Sequence, residues 1–196
     1  MKWSSVAIGM AGLFAVAMPL RAEPAVWHGK EFRSWKQAYP LELLKADGSR
    51  FCLEGLRGNI VLLSFGFVRC PSVCPSILAN LAAVRRGLPP GERGRVCVVF
   101  VSVDEKDTPA DLARYLEMFD SGFIGLTGSR SNVAKAARAY GVVYGNEKNV
   151  NGGVLIDHST DTLVIDPLGR VRLSYSMDQL RDHTAVSADL LRILLE

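Results

Sequence analysis

Two apolar segments, residues 59–67 (NIVLLSFGF) and 95–104 (RVCVVFVSVD), constrain the fold of this chain most strongly. A strand with an unbroken apolar sequence is typical of a sheet that is buried on both faces. A helical pattern follows each segment: the first begins at Pro75, and the second has Thr108 as its N-cap and Pro109 at its first position. Strands that alternate with helices in this way predict a layered α/β fold.

The remaining segments extend this pattern. Residues 41–55 (LELLKADGSRFCLEG) predict a β-hairpin that turns at Asp47 and Gly48. Other expected elements are a third helix over 131–141 with Ser131 as its cap and Gly141 as its stop, a polar loop over 144–153, two strands within 159–175 around a turn at 166–169, and a last helix over 184–195. The order matches a thioredoxin-like architecture with a β-hairpin added at the N-terminus.

The first residues have the layout of a secretory signal peptide. Lys2 gives a positive start, and the apolar run over residues 6–20 is shorter than the ~20 residues that a membrane-spanning helix needs. We expect residues 1–22 to be removed by cleavage after Ala22; the alternative is an uncleaved membrane anchor. Residues 23–40 then form a polar, loosely packed lead-in, and residues 41–196 form one domain. The protein is expected in the periplasm or at the outer face of the inner membrane.

Charge and cysteine content exclude two classes of protein. The formal net charge is only +3, with no concentrated basic segment, so the chain does not have the composition of a nucleic-acid-binding protein. Four cysteines are too few for a disulfide-dense small scaffold, although export would place them in an oxidising compartment.

Cys70 and Cys74, within FGFVRCPSVCPSIL, are the main candidates for chemistry. They lie between the end of a predicted strand and the start of a helix, where the helix dipole and the neighbouring Arg69 favour a thiolate. The pair could form a structural disulfide, but a bridge across three residues constrains the unfolded chain little. Thiol–disulfide exchange and metal binding are the other interpretations, and the two cysteines alone do not decide between them.

At this point the sequence resembles the SCO/SenC family of copper-binding proteins, which act in cytochrome c oxidase assembly. The resemblance runs from about residue 41 to the C-terminus. It rests on four blocks in the family's order: FGFVRCPSVCPSILANLAA, VFVSVDEKDTPADLARYLEMFDSGFIGLTGS, AYGV and DHSTDTLVIDPLGRV. The chain departs from the family pattern at Ser72, where an acidic residue is common, at Val68 and Arg69, and in a loop after residue 103 that is one residue shorter.

The resemblance implies a thioredoxin-like fold with a copper site formed by Cys70, Cys74 and His158. The donor set agrees, because thiolates select Cu(I) and imidazole suits Cu(I) and Cu(II) alike. Asp157 either orients the imidazole or faces solvent as a loop carboxylate. We also expect Cys70 and Cys74 to close into a disulfide when no metal is bound.

The function that follows is an exported copper metallochaperone for cytochrome c oxidase. Its implied partners are a copper-receiving respiratory oxidase subunit and another periplasmic copper carrier, with membrane association through the N-terminus. The alternative is a thiol–disulfide oxidoreductase that acts on a partner's cysteines through Cys70 and Cys74. A thiol peroxidase on the same fold is a third interpretation, but the active-site surroundings of that family are not evident.

The other candidate residues are given structural roles. Cys97 and Cys52 are expected in the core, with a bridge between them as the alternative. His28 and His183 are expected at the surface. Met118 and Met177 are not expected to bind copper, and Met118 is expected in the core. Asp104 and Asp107 are expected to act as cap or turn residues.

Overall fold

The computed structural model describes residues 26–148, 154–158 and 161–196, without the side chains of residues 145–148 and 154–158. Seven strands form one sheet in the order β1-β9-β8-β3-β4-β5-β2, and β6 and β7 form a separate two-stranded sheet. The strands are β1 Lys30–Gln37, β2 Leu44–Lys45, β3 Ile60–Gly66, β4 Val96–Ser102, β5 Ile124–Thr127, β6 Tyr144–Lys148, β7 Val154–His158, β8 Thr162–Ile165 and β9 Arg170–Tyr175.

Six α-helices and one short 3-10 helix, Leu53–Leu56, accompany these strands in the described part of the chain. Among them α1 packs against α5 and α6, and α3 packs against β5. The helices are α1 Val73–Gly87, α2 Pro90–Arg93, α3 Pro109–Glu117, α4 Arg130–Ala139, α5 Met177–Leu180 and α6 His183–Leu195.

The two apolar segments form the parallel centre of the sheet, as predicted. All residues of β3 are buried, and β3 pairs in parallel with β4, which pairs in parallel with β5. One row of paired residues crosses six strands, so the carboxyl ends of the three parallel strands meet at one edge of the sheet. The row runs through Lys30, Ser174, Leu163, Leu63, Val99 and Ile124.

The expectation of a loosely packed lead-in over residues 23–40 is wrong for its described part. Its strand β1 pairs with β9 and forms an edge of the sheet. The buried carboxylate of Asp189 on α6 accepts hydrogen bonds from the backbone N–H groups of His28 and Gly29, at 3.3 and 2.9 Å. The His28 ring, which we expected at the surface, is half-buried, and its Nε2 lies 2.9 Å from the Gln179 carbonyl oxygen. These contacts hold the N-terminal strand on the domain.

The hairpin predicted over residues 41–55 is much shorter than expected. Gly48 has the positive φ of a tight turn, at 79°, and the two arms are joined by a single bridge between Leu44 and Arg50. After the bridge the chain does not continue as a strand, and β2 pairs with β5 instead. The strand ends here because Phe51 and Leu53, directly after the bridge, are buried in the core.

Two later elements also differ from the prediction. Ser129, rather than Ser131, caps α4, because its hydroxyl accepts the N–H of Asn132. Gly141 does end this helical region, with a φ of 70°. The segment predicted as a polar loop over 144–153 contains β6, which pairs with β7, so much of it is a hairpin arm.

The N-terminal predictions remain open. The signal peptide expected over residues 1–22 lies outside the described residues. Within the described ranges, no helix has the length and apolar character needed to cross a membrane.

Candidate metal centre

The cysteine turn begins where β3 leaves the sheet. The Cys70 N–H donates to the Phe67 carbonyl oxygen at 3.3 Å, which closes the turn, and α1 follows from residue 73 with Ser72 as its N-cap. The Ser72 side chain makes no capping bond. Instead, the Cys74 N–H in the first turn of the helix donates to Cys70 Sγ at 3.3 Å. The Cys70 sulfur therefore takes the position of a capping group, where the helix dipole favours negative charge.

Cys74 has a different environment from Cys70. Cys74 is only 1% exposed and its sulfur lies against Gly66, whereas Cys70 is half-buried. Burial raises the pKa of the Cys74 thiol above its ordinary value, and a hydrogen bond from the Phe67 backbone opposes that rise. One accessible sulfur and one buried sulfur thus share a single turn.

Arg69 forms ion pairs beside the cysteine turn. Its guanidinium forms an ion pair with Asp104, at 2.7 Å, and lies 3.3 Å from an oxygen of Asp107. It thus neutralises two carboxylates that follow β4.

Asp107 is a site residue that the sequence analysis missed. The structure places its fully buried side chain under the cysteine turn, where Oδ2 accepts the Val68 N–H at 2.8 Å and the Ser102 hydroxyl at 2.7 Å. Asp107 therefore ties the backbone just before Cys70 to the carboxyl end of β4. This bridging role differs from the cap or turn role that we expected. The sequence feature that indicates it is an aspartate soon after β4, the buried strand next to β3.

Tyr115 on α3 was also missed. Its hydroxyl is buried and has no hydrogen-bond partner among the described residues. Burial raises the pKa of Tyr115, and negative charge on Cys74, Cys70 or Asp107 would raise it further.

His158 and Asp157 are placed here by their backbones alone, since their side chains lie outside the described residues. His158 ends β7, opposite Tyr144, and Asp157 lies opposite Gly145. Thr162, four residues after His158, begins β8, which pairs antiparallel with β3. Four residues span at most about 14 Å, so the His158 backbone lies near the edge of the sheet from which the cysteine turn leaves.

The remaining cysteines and Met118 correct two expectations. Cys52 is exposed rather than in the core, and its thiol donates to Glu54 at 3.4 Å. Cys97 packs against the core while half-buried, and both residues are thiols, so the alternative bridge between them is not formed. Met118 is 71% exposed, which makes the predicted core position wrong.

His183, expected at the surface, is partly buried, with its Nε2 2.8 Å from Asn80 Oδ1. In the described part of the chain, no group of three potential metal-ligating side chains occurs, at the cysteine turn or away from it. Cys70 and Cys74, which are both thiols here, therefore form the candidate site, and their sulfurs fit a soft, thiophilic ion such as copper.

Comparison with known proteins agrees with this fold. A sequence model of the family described as SCO1/SenC matches residues 33–194. A relative from Bos taurus, named "Protein SCO2 homolog, mitochondrial", is 36% identical over 166 residues, which are 76% of this chain and 60% of that protein. The chain thus spans less than two thirds of that relative's length.

Two solved structures are similar over most of their length. The apo Sco1 protein from Thermus thermophilus has a TM-score of 0.76 and 37% identity, over 86% of this chain and 97% of that one. Bradyrhizobium japonicum ScoI with copper bound has a TM-score of 0.72 and 30% identity, over 81% and 99%. These neighbours have thioredoxin-like folds, so the predicted fold class is confirmed.

Proposed function

The chain belongs to the SCO1/SenC family, and on that basis we propose that it is an exported copper metallochaperone that helps to assemble the copper centre of cytochrome c oxidase. The observation that carries this proposal is the pair of sulfurs on one turn, with Cys70 at the N-terminus of α1 and Cys74 four residues later. Thiolates select copper over harder ions. The similarity to a copper-bound ScoI structure supports the choice of metal.

Each site residue has a distinct proposed role. Cys70 and Cys74 bind copper through their sulfurs, and His158 supplies an imidazole nitrogen as the third ligand. The position of the His158 backbone near the cysteine edge of the sheet supports this assignment. Asp157 orients that imidazole. Three ligands leave one side of the ion open, from which it can be handed to an acceptor.

Copper is the cargo of this protein, carried as Cu(I) or Cu(II). The acceptor is a respiratory oxidase subunit, and a second partner is another periplasmic copper carrier. The protein works in the periplasm or at the outer face of the inner membrane, and residues 1–22 direct its export or keep it attached to the membrane.

Copper binding by the reduced protein, compared with a His158→Ala variant, tests this proposal. Loss of the imidazole should weaken Cu(II) binding more than Cu(I) binding, because two sulfurs can still hold the softer ion. His183→Ala is the matched control, since it removes a histidine that lies against Asn80. Equal Cu(II) affinity in the His158→Ala variant and the parent would remove His158 from the site, and failure of the parent to bind copper would overturn the function.

Thiol–disulfide exchange remains the second candidate, and the unequal burial of the two sulfurs favours it. An accessible Cys70 could attack a partner disulfide, and the buried Cys74 could then resolve the mixed disulfide. His158→Ala separates the two functions. In a metallochaperone the variant fails to support oxidase assembly in copper-limited cells but still reduces a disulfide; in an oxidoreductase both activities persist.

A further inference from the structure

The outer edge of β1 is a basic surface that the rest of the domain does not neutralise. β1 is the last strand at one side of the seven-stranded sheet. Its three cations, Lys30, Arg33 and Lys36, are all exposed, and none of them forms an ion pair with another described residue. Glu31 is the only acidic residue of the strand. The three cations form the basic edge of the domain, which attracts negatively charged surfaces.

Two tryptophans of the same N-terminal segment are held in place by arginines. The Cζ atoms of Arg170 and Arg172 lie 4.7 and 3.7 Å from the centroid of the Trp35 ring. Those of Arg172 and Arg192 lie 5.6 and 3.8 Å from the centroid of the Trp27 ring. These cation–π contacts order both indoles, yet Trp35 is still 43% exposed. A tryptophan that is packed on one part and exposed on another is typical of the interface between membrane and water.

The arginines that hold the tryptophans add to the positive charge. Asp166 pairs with Arg170 at 2.7 Å, and Glu196 pairs with Arg172 at 2.8 Å and lies 4.0 Å from Arg192. This group therefore has three arginines against two carboxylates, a formal charge of +1, and β1 itself carries +2. A positive surface with ordered aromatic rings fits a partner that has negative charges above an apolar layer.

An added strand fits the basic edge less well. Charged residues on an edge strand oppose pairing with another sheet. The pairing of β1 with β9 is also irregular between Glu31 and Lys36. Because such an irregularity bends a strand, β1 does not present the straight edge on which a partner's strand could pair along its length.

The chain before β1 brings the basic edge close to a lipid surface. The segment that we propose for export or membrane attachment ends at residue 22, and Val26 follows four residues later with 93% exposure. Four residues span at most about 14 Å. While residues 1–22 are held in a membrane, the start of the described chain therefore lies within that distance of the end of the segment.

We propose, resting on the proposed membrane attachment of residues 1–22, that the basic edge docks the domain onto an anionic lipid surface. Lys30, Arg33 and Lys36 face the acidic headgroups, and the exposed part of the Trp35 indole lies at the interface. The contact is sensitive to salt, because exposed charges are screened. A domain held both by its N-terminal segment and by this edge has fewer orientations than one held by the segment alone.

Hydrogen exchange of the intact protein in vesicles tests this inference. The protein is reconstituted into vesicles of neutral phosphatidylcholine, or of phosphatidylcholine mixed with anionic phosphatidylglycerol. Exchange of the backbone amides over residues 26–37 should be about tenfold slower on the anionic vesicles, and concentrated salt should remove the difference. The variant Lys30→Gln with Arg33→Gln and Lys36→Gln should exchange at the same rate on both kinds of vesicle.

The matched control is Arg50→Gln with Arg86→Gln and Arg138→Gln. It removes three exposed arginines outside β1 that likewise form no ion pair with a described residue, and it should keep the difference between the vesicles. Both triple variants should keep the thermal stability and the copper affinity of the parent.

Equal exchange of the parent on the two kinds of vesicle would overturn the inference, as would a difference that persists in the β1 variant. Protection of β1 by an oxidase subunit but not by vesicles would assign the edge to a protein partner and overturn the lipid surface. A parent that docks on anionic vesicles but binds no copper would overturn the copper function alone.

Discussion

The hydroxyl oxygens of Ser64 and Thr162 lie 2.8 Å apart, and both side chains are buried. Ser64 is on β3, which leads into the cysteine turn, and Thr162 begins β8, four residues after His158. This polar contact joins two segments that are distant in sequence and that also pair along their backbones, so it helps to hold together the strands that lead to the two parts of the proposed site.

Removal of one partner from this pair should destabilise the protein. Thr162→Val keeps the shape of the side chain but leaves the Ser64 hydroxyl buried without its partner, at a cost of about 1–3 kcal/mol. Urea denaturation of the reduced protein measures the loss. The double variant Ser64→Ala with Thr162→Val should recover much of it, because no unsatisfied hydroxyl remains. A double variant that is less stable than the single one would contradict this account.

Asp107→Asn should loosen the cysteine turn. The amide keeps the size of the carboxylate but weakens charge-assisted bonds to the Val68 N–H and the Ser102 hydroxyl, so we expect a loss of about 1–3 kcal/mol in unfolding free energy. Alkylation of Cys70 should also become faster. Asp104→Asn, which alters the more exposed carboxylate, should cost no more than about 1 kcal/mol. Equal effects of the two substitutions would show that burial of Asp107 is unimportant.

Gly66→Ala should displace the buried sulfur. The added Cβ would meet Cys74 Sγ at 2.6 Å and the Phe100 ring at 2.7 Å, so the turn or the ring must move, at a cost of about 1–3 kcal/mol. Thermal denaturation and Cu(I) affinity should both decrease. Gly87→Ala is the control, because apart from its chain neighbours and its own helix backbone no atom lies within 4 Å of a Cβ at that position. Parent-like values in Gly66→Ala would mean that the sulfur is not held against β3.

The stability of the reduced, metal-free protein should decrease at alkaline pH. Burial raises the pKa of Cys74, so above about pH 8.5 the unfolded chain loses a proton that the folded chain keeps. The stability from this group is complete below that pH and decreases by up to about 1.4 kcal/mol per pH unit above it. Cys74→Ala should reduce this slope in urea denaturation between pH 7 and 10, whereas Cys52→Ala, at an exposed thiol, should keep it.

Copper and a Cys70–Cys74 disulfide should exclude each other. Both residues are thiols in this structure, and a cysteine must be a thiolate to ligate a metal. Protein that has been oxidised to the disulfide should therefore retain no copper on gel filtration, and its copper binding should return on reduction. Oxidised and reduced forms with the same copper content would disprove this linkage.

The central strands and the α3 cap were predictable because their causes are local in sequence. An unbroken apolar segment can be buried on both faces, and the Thr108 hydroxyl accepts the Asp111 N–H only three residues away. The order of strands and helices then gave the fold class. Cys70 and Cys74 were recognisable because they lie between such a strand and such a helix.

The missed features depend on contacts between distant segments. β1 has a polar, mostly exposed sequence, and its place in the sheet comes from pairing with β9 and from Asp189 on the last helix. Asp107 gains its importance from burial and from its hydrogen bond to the Val68 N–H, 39 positions earlier. Met118 is the C-cap of α3 and projects into solvent, because it lies off the helix face that buries Leu112 and Leu116.

The position of β1 also determines how the domain would be held by its N-terminus. β1 runs antiparallel to β9, and its first residue, Lys30, lies in the same row as Leu63, the middle residue of β3, so the chain before Lys30 approaches from the carboxyl end of β3. The chain therefore enters the sheet at the end from which the cysteine turn leaves, three strands away from it, or about 14 Å at the usual strand spacing. A tether that precedes residue 26 would pull on the domain from this end, so the cysteine turn would face the surface to which the protein is attached.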